Sequence, residues 1–385
     1  MIARKNDRDN GNDGNGTSEH TPRVLIVGPY PPPLGGVSSH VQRATAALGE
    51  AGHTVAVLNH FGGRPEGTAV IGSLHRNPLL YFTKIKKTQA AIVHYHHAGR
   101  PSLLLATALA RRSRTQSYWL ITLHNHSIER HLARGPIRLA VRWAFRRFDQ
   151  IVAVSPEIGH FLAQRKVETP IVVQPAYLPS GTDGQVARGN WSPSLFFDQP
   201  GVTLVVSAYR VVRSGNGDLY GLDTAAHTFA QLGKDWADLR LAIFLSHPPR
   251  GRWAKHHFSS ILEQINPELR ERVGLWIGEQ LLPAFSANVI YLRPTRTDGD
   301  AVSVREALDR GVPVLASDCV IRPAGVILVS DGDRQAWSES VTSTLVKMGT
   351  QRATGRAVLN KSLEAPEQDV LDLYGPHLPT RHDSS

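Results

Sequence analysis

The sequence predicts an α/β protein built from two doubly wound, Rossmann-like domains that face each other across a cleft. Three observations predict it. Apolar runs of strand length alternate with amphipathic runs of helix length along most of the chain. The alternation falls into two blocks separated by a turn-rich stretch, and no tight hairpin joins successive strands, so the strands are parallel with helical crossovers. At 385 residues and 41% hydrophobic content, the chain can bury cores for two such domains.

Taken in order, residues 1–21 within "MIARKNDRDNGNDGNGTSEHTP" have the Asn/Asp/Gly bias of a disordered tail. The stretch lacks an apolar centre, so it reads as neither signal peptide nor anchor. The first domain, residues 22–180, opens with the strand Val24–Val27 and a Gly/Pro loop. A helix with Val37, Val41, Ala44 and Leu48 on one stripe follows, then Gly52 as a stop and the strand Thr54–Leu58. "AAIVHYHH", "YWLITLH", "QIVAVS" and "IVVQP" continue the strands. "AYLPSGTDGQVARGNWSPS", rich in turn formers, reads as the linker. The second domain, residues 190–350, repeats the grammar: strand Val202–Ser207, glycine-bearing loop, helix near Leu222–Leu232, strand Leu239–Leu245. "VGLWIG", "NVIYLRP", "VPVLAS" and "GVILV" complete it. Residues 351–385 form a C-terminal segment, in which "EQDVLDLYGPHL" is a candidate helix returning to the first domain.

Composition removes several function classes. The single cysteine, Cys319, excludes an intrachain disulfide and suits a reducing compartment. The longest apolar run, "SLLLATALA", is half the ~18 residues of a membrane span. The net charge of +10 is concentrated in Arg100, Arg111, Arg112, Arg114, Arg130, Arg134, Arg138, Arg142, Arg146 and Arg147. "PIRLAVRWAFRRFD" places Ile137, Val141, Ala144, Phe145 and Phe148 on one helical stripe and Arg138, Arg142 and Arg146 on another. That pattern fits a core-facing helix with a solvated basic face, or a helix lying on an anionic membrane. Nucleic acid is not an expected partner, for no zinc-finger spacing, basic zipper or RNA-recognition aromatic signature is present.

Doubly wound sheets bind ligands beyond the carboxyl ends of their strands, so candidate site residues are sought there. Gly35 and Gly36 open a helix after "PYPPPL", where backbone amides and the helix dipole attract an anion, or where a plain turn suffices. The spacing is not the dinucleotide fingerprint G-x-G-x-x-G, and no acid ends the next strand. His94, His96, His124 and His126 sit at strand ends; a metal site is conceivable, but without an accompanying carboxylate or cysteine a cleft-lining role for His124 is preferred. Arg210 and Arg213 stand after the first strand of the second domain, suited to phosphate or to surface ion pairs.

The segment "RPTRTDGDAVSVREALDRGVPVLASD" gathers Asp298, Asp300 and Glu306 at the mouth of a short helix in an otherwise basic chain. Ala301, Val304 and Leu308 mark its core stripe, Asp300 its N-cap and Gly311 its stop. The first amides, of Ala301, Val302 and Ser303, would hold a diphosphate without metal. Asp298 and Glu306, off the buried stripe, would accept hydroxyls on either side of it. "DGD" also permits divalent metal chelation, and acids at a helix N-terminus also stabilise its dipole.

Together, "PYPPPLGGVSSHV", "IVHYHH", "TLHNH", "IVAVSPEI", "AYR" and "TDGDAVSVREALDRGVPVLASD" resemble the group 1 glycosyltransferases, retaining enzymes of the GT-B fold, over about Arg23 to Ser340. The resemblance implies transfer of a sugar from a nucleotide-diphosphate sugar to a glycan or lipid-linked acceptor. It implies no metal requirement, a role in cell-envelope polysaccharide synthesis, and a cytoplasmic location with peripheral attachment at the inner membrane face. It assigns Gly35, Gly36 and Arg210 to the diphosphate, His124 to the transferred sugar, Asp298 to sugar hydroxyls and Glu306 to the ribose. The chain departs from the pattern in three places, one being Gly299-Asp300-Ala301 where the pattern has Gly-Phe-Gly. Asp298 replaces a glutamate, and Tyr220 stands at the usual phosphate-binding lysine, for which Arg213 is a candidate substitute. Two alternatives remain open: a sugar-nucleotide epimerase of the same fold, and a non-catalytic scaffold member of the family.

Overall fold

The structure is a computed structural model that describes residues 23–32, 35–60, 70–73, 78–111, 117–133, 135–176, 191–215, 217–353 and 370–377. The expected tail, most of the expected linker, and Arg112, Arg114 and Arg134 lie outside the described residues. In the first domain β1 (Val24–Gly28), α1 (Gly36–Glu50), β2 (Val55–Asn59), β3 (Val70–Ser73), α2 (Pro78–Lys87), β4 (Ile92–His97) and α3 (Pro101–Arg111) alternate. They are followed by β5 (Tyr118–Leu123), α4 (Ser127–Ala133), α5 (Pro136–Phe145), β6 (Gln150–Ala153), α6 (Pro156–Gln164) and β7 (Ile171–Val173). The seven strands form a parallel sheet in the order β3-β2-β1-β4-β5-β6-β7.

In the second domain a short helix, α7 (Ser194–Phe197), precedes β8 (Val202–Ala208), the two-residue hairpin strands β9 (Arg213–Ser214) and β10 (Gly217–Asp218), α8 (Leu222–Leu232), β11 (Leu239–Leu245) and α9 (Arg252–Glu263). Then come β12 (Val273–Ile277), β13 (Val289–Arg293), α10 (Val302–Asp309), β14 (Val314–Ser317), β15 (Ile327–Val329) and α11 (Arg334–Ala353). Its parallel sheet runs β12-β11-β8-β13-β14-β15.

Burial explains why these runs are strands. β1, β4, β11 and β13 are buried at every position, as expected where helices cover both faces of a parallel sheet. α1 is a helix because Val41, Ala44 and Leu48 recur at helical spacing on its buried side, and His40 shares that side. At Gly221 (φ +67°) a Cβ would overlap the Pro294 carbonyl, so only glycine lets α8 start there. The chain order of each sheet reverses once, between β1 and β4 and between β8 and β13, and those reversals are where such sheets open a crevice.

Residues 370–377, two short 3₁₀ turns rather than the expected helix, pack on the first domain. Tyr374 is fully buried with Val24, Ile26 and Leu120, and the ring of His377 stacks on Tyr118. The basic helix is partly core: Val141, Ala144, Phe145 and Phe148 are buried, whereas Ile137 and Leu139 are exposed. Part of its charge is paired, Arg146 with Glu168, and Arg111 beside it with Asp149. Among the described residues no helix is long and apolar enough to cross a membrane.

Candidate functional site

The two crevices meet. Arg43 on α1 pairs with Glu306 on α10, the amide of Ala176 donates to the Asp300 carboxylate at 3.1 Å, and Val302 packs into the first domain's core. Gly299 lies so close to the His124 carbonyl that a Cβ there would overlap it. A Cβ on Gly35 would touch the Tyr209 ring at 3.2 Å, and Gly36 faces the Val302 side chain. The cleft expected from the sequence is therefore closed on itself, by groups that line both of its walls.

On the first wall, four histidines converge from α1, β4 and the end of β5. His40 donates from Nδ1 to the Ala176 carbonyl at 2.6 Å. His96 Nδ1 and His124 Nε2 share a proton at 2.9 Å. His94 is held by Tyr374 Oη at 2.6 Å and Thr122 Oγ1 at 2.7 Å, with its ring 4.1 Å from that of His96. Burial holds all four neutral: it lowers His40 to about 4 and His94 to about 3, and drives His96 and His124 well below the usual imidazole range. His124 is thus placed where the sequence put it, at the cleft floor. His126 is not part of the group, since it turns away to pair with Glu129.

On the second wall, the carboxylates do not hang free. Asp298 is bridged by Arg293 through both oxygens (3.0 and 3.2 Å) and by Arg322 at 3.1 Å. Burial pushes its carboxyl up, but the two guanidinium groups outweigh that and hold it below the usual carboxylate range. Asp300 is not the N-cap; Ala301 is, without a side-chain bond. Asp300 instead pairs with Arg305 at 2.7 Å, one turn on, because this arginine and the Ala176 amide compensate its burial better than the helix amides would. With Asp298 and Asp300 both committed to arginines, "DGD" does not form a vacant chelating pair. Glu306 is buried rather than off the buried stripe, since the inter-domain contact covers that side of α10. Burial raises its carboxyl and Arg43 opposes the rise.

At the helix mouth Val304 returns its amide to the Ala301 carbonyl, which leaves Val302 and Ser303 as the outward amides by helix geometry. The Ser303 hydroxyl is committed to Tyr291, which also meets Ser207. Arg210 is exposed and lies over the Tyr209 ring; Arg213 lies over Trp253, on the hairpin side, and does not join the carboxylates. The Arg293 guanidinium sits over the Tyr220 ring, 5.3 Å from its centroid. A buried cation is therefore present beside the position where the family pattern has lysine. Sequence reasoning missed Arg43, Arg293 and Arg322. Arg293 was readable as a charge closing an apolar strand, but nothing local distinguishes Arg43 or Arg322.

Residues 34–176 match the model of the glycosyltransferase family 4. Sucrose-phosphate synthase from Thermosynechococcus elongatus superposes with a TM-score of 0.61 at 16% identity, covering 87% of this chain and 93% of that one. HepE from Anabaena, in complex with UDP-glucose, gives 0.62 at 13% identity over 87% and 93%. An α,α-trehalose-phosphate synthase from Burkholderia vietnamiensis gives 0.60 at 13% over 86% and 94%. The fold is GT-B, and the stretch of the first domain from 34 to 176 is similar to the glycosyltransferase family 4 model. Both agree with the group 1 resemblance of the motifs. By sequence, no curated protein matches the chain.

Proposed function

We propose that this GT-B protein transfers a sugar from a nucleotide-diphosphate sugar to a glycan or lipid-linked acceptor, with retention at the anomeric carbon and no metal requirement. The observation that carries the reading is the meeting of the two crevices: Gly35–Gly36 and His124 on one wall against Gly299 and the α10 mouth on the other. HepE, of the same fold, is in complex with UDP-glucose, which supports a nucleotide sugar as donor.

In this mechanism the domains open to admit the donor, and Glu306 exchanges Arg43 for ribose hydroxyls. The exposed Arg210 and the amides of Val302 and Ser303 hold the diphosphate and stabilise its charge as the glycosidic bond breaks. His124, neutral in its buried setting, offers a hydrogen bond to the transferred sugar. Asp298 fixes Arg293, and in the open state offers a carboxylate oxygen to a sugar hydroxyl. The departing phosphate takes the acceptor proton, and reclosure excludes water that would hydrolyse the donor. A cell-envelope acceptor, reached from the inner membrane face, fits the exposed Ile137 and Leu139 flanking Arg138 at the start of α5.

A second reading is favoured by one observation. Asp298 is consumed by two arginines and Tyr220 replaces the lysine, as a scaffold that kept the fold would tolerate. Calorimetry with UDP, GDP and ADP separates the two: an enzyme binds one of them, whereas a scaffold binds none. Donor incubated alone then tests the epimerase alternative, and NMR of the product's anomeric carbon tests retention.

A further inference from the structure

We propose that His40, His96 and His124 form a binding site for one Zn²⁺ ion. Each offers one ring nitrogen, and the three lie within 4.8 Å of one another. The edge of a zinc–imidazole tetrahedron is about 3.4 Å, from Zn–N bonds of about 2.05 Å. Ring rotations that move a nitrogen by about an ångström therefore close the set on an ion.

The surroundings are those of a metal-binding group. His40 Nδ1 is already committed to the Ala176 carbonyl, which fixes the ring and turns the Nε2 lone pair inward; histidine ligands are commonly anchored this way. His96 and His124 already approach to 2.9 Å through the nitrogens that would bind. His94 is not a ligand, because Tyr374 and Thr122 occupy both of its nitrogens, but its ring lies against His96 and limits how that imidazole can turn. The three rings stand on a helix and two strand ends, which hold position better than loops. An all-nitrogen donor set selects a borderline ion and rejects Mg²⁺ and Ca²⁺. The fourth position is left to water.

The ion would hold the His124 imidazole that the transfer mechanism uses, so it is an inhibitor of that reaction rather than its cofactor. This consequence rests on the proposed function; the binding does not. The test uses untagged, chelator-stripped protein titrated calorimetrically with Zn²⁺, together with visible absorption of the Co²⁺ form. Wild type is expected to bind one Zn²⁺ per chain. His40→Gln and His96→Gln should each weaken it at least about 100-fold, His126→Gln should not, and Mg²⁺ should give no heat. No stoichiometric binding, or binding unchanged in both variants, overturns the site. Should both variants fail to fold by circular dichroism, the wild-type Co²⁺ spectrum decides: intense tetrahedral bands support the site and weak octahedral ones overturn it. A UDP titration of the same preparation reads the transferase proposal separately.

Discussion

Arg43→Ala removes the first-domain partner of Glu306 and should tighten nucleotide binding. In the closed arrangement a ribose reaches Glu306 only by displacing Arg43. The two side chains retain 17% and 9% of their exposure. The pair is therefore worth more than the ~0–1 kcal/mol of a solvated ion pair, and less than the ~3–5 kcal/mol lost when a fully buried one is broken. We take about 1–2 kcal/mol as the barrier to displacement. At about 1.4 kcal/mol per decade, its removal strengthens binding by roughly 5- to 30-fold. The assay is calorimetric titration with the nucleotide that wild type prefers. It is run at pH 8, because burial raises the Glu306 carboxyl and Arg43 is what opposes the rise. Glu306→Ala in the same assay should abolish the gain and weaken binding below wild type. Unchanged or weaker affinity for Arg43→Ala would refute the reasoning, and would make Arg43 a ligand group rather than an obstacle.

Asp298→Asn strips Arg293 and Arg322 of their counter-charge, so it should destabilise the fold by about 3–5 kcal/mol; an unchanged urea midpoint would contradict the buried triad. Gly299→Ala drives a Cβ into the His124 carbonyl, so small-angle scattering should show an enlarged radius of gyration, and an unaltered profile would deny the close approach. His40, His60, His94 and His97 are lowered to about 3–4 by burial. Because the unfolded chain takes up protons first, stability is intact above the ordinary imidazole pKa near 6.5 and falls as pH drops toward 4. The loss is roughly 2 kcal/mol per histidine between pH 7 and 5, and a flat melting temperature over that range would exclude their burial. Transfer activity should survive EDTA, and loss restored by Mg²⁺ would revive chelation by Asp298 and Asp300.

The alternation of apolar strands and amphipathic helices was enough to read both sheets, because buried parallel strands and their crossover helices each leave a periodic trace. Strand-end reasoning also reached His124, Gly35 and the α10 mouth, since the crevice position follows from topology alone. What sequence could not give was pairing. Asp300 looks like a cap because it precedes a helix, yet Arg305 and the Ala176 amide compete for it, and Ala176 lies 124 positions away. Glu306 looked solvent-facing because the surface that buries it belongs to the other domain. The histidine cluster was half visible: His94, His96 and His124 end strands, but His40 enters from the inward side of α1. His126, although two residues from His124, leaves the sheet and pairs locally.

Tyr374 comes from the far end of the chain and yet fills the interior around Val24 and Ile26, with its hydroxyl on His94. The polypeptide therefore crosses from one lobe to the other and back again. The lobes are thus joined by two covalent connections rather than one, and the second is anchored by a buried tyrosine. A fragment cut after the first lobe would carry a hole the size of a tyrosine beneath its histidines, and should be a poor stand-in for the lobe in the intact protein.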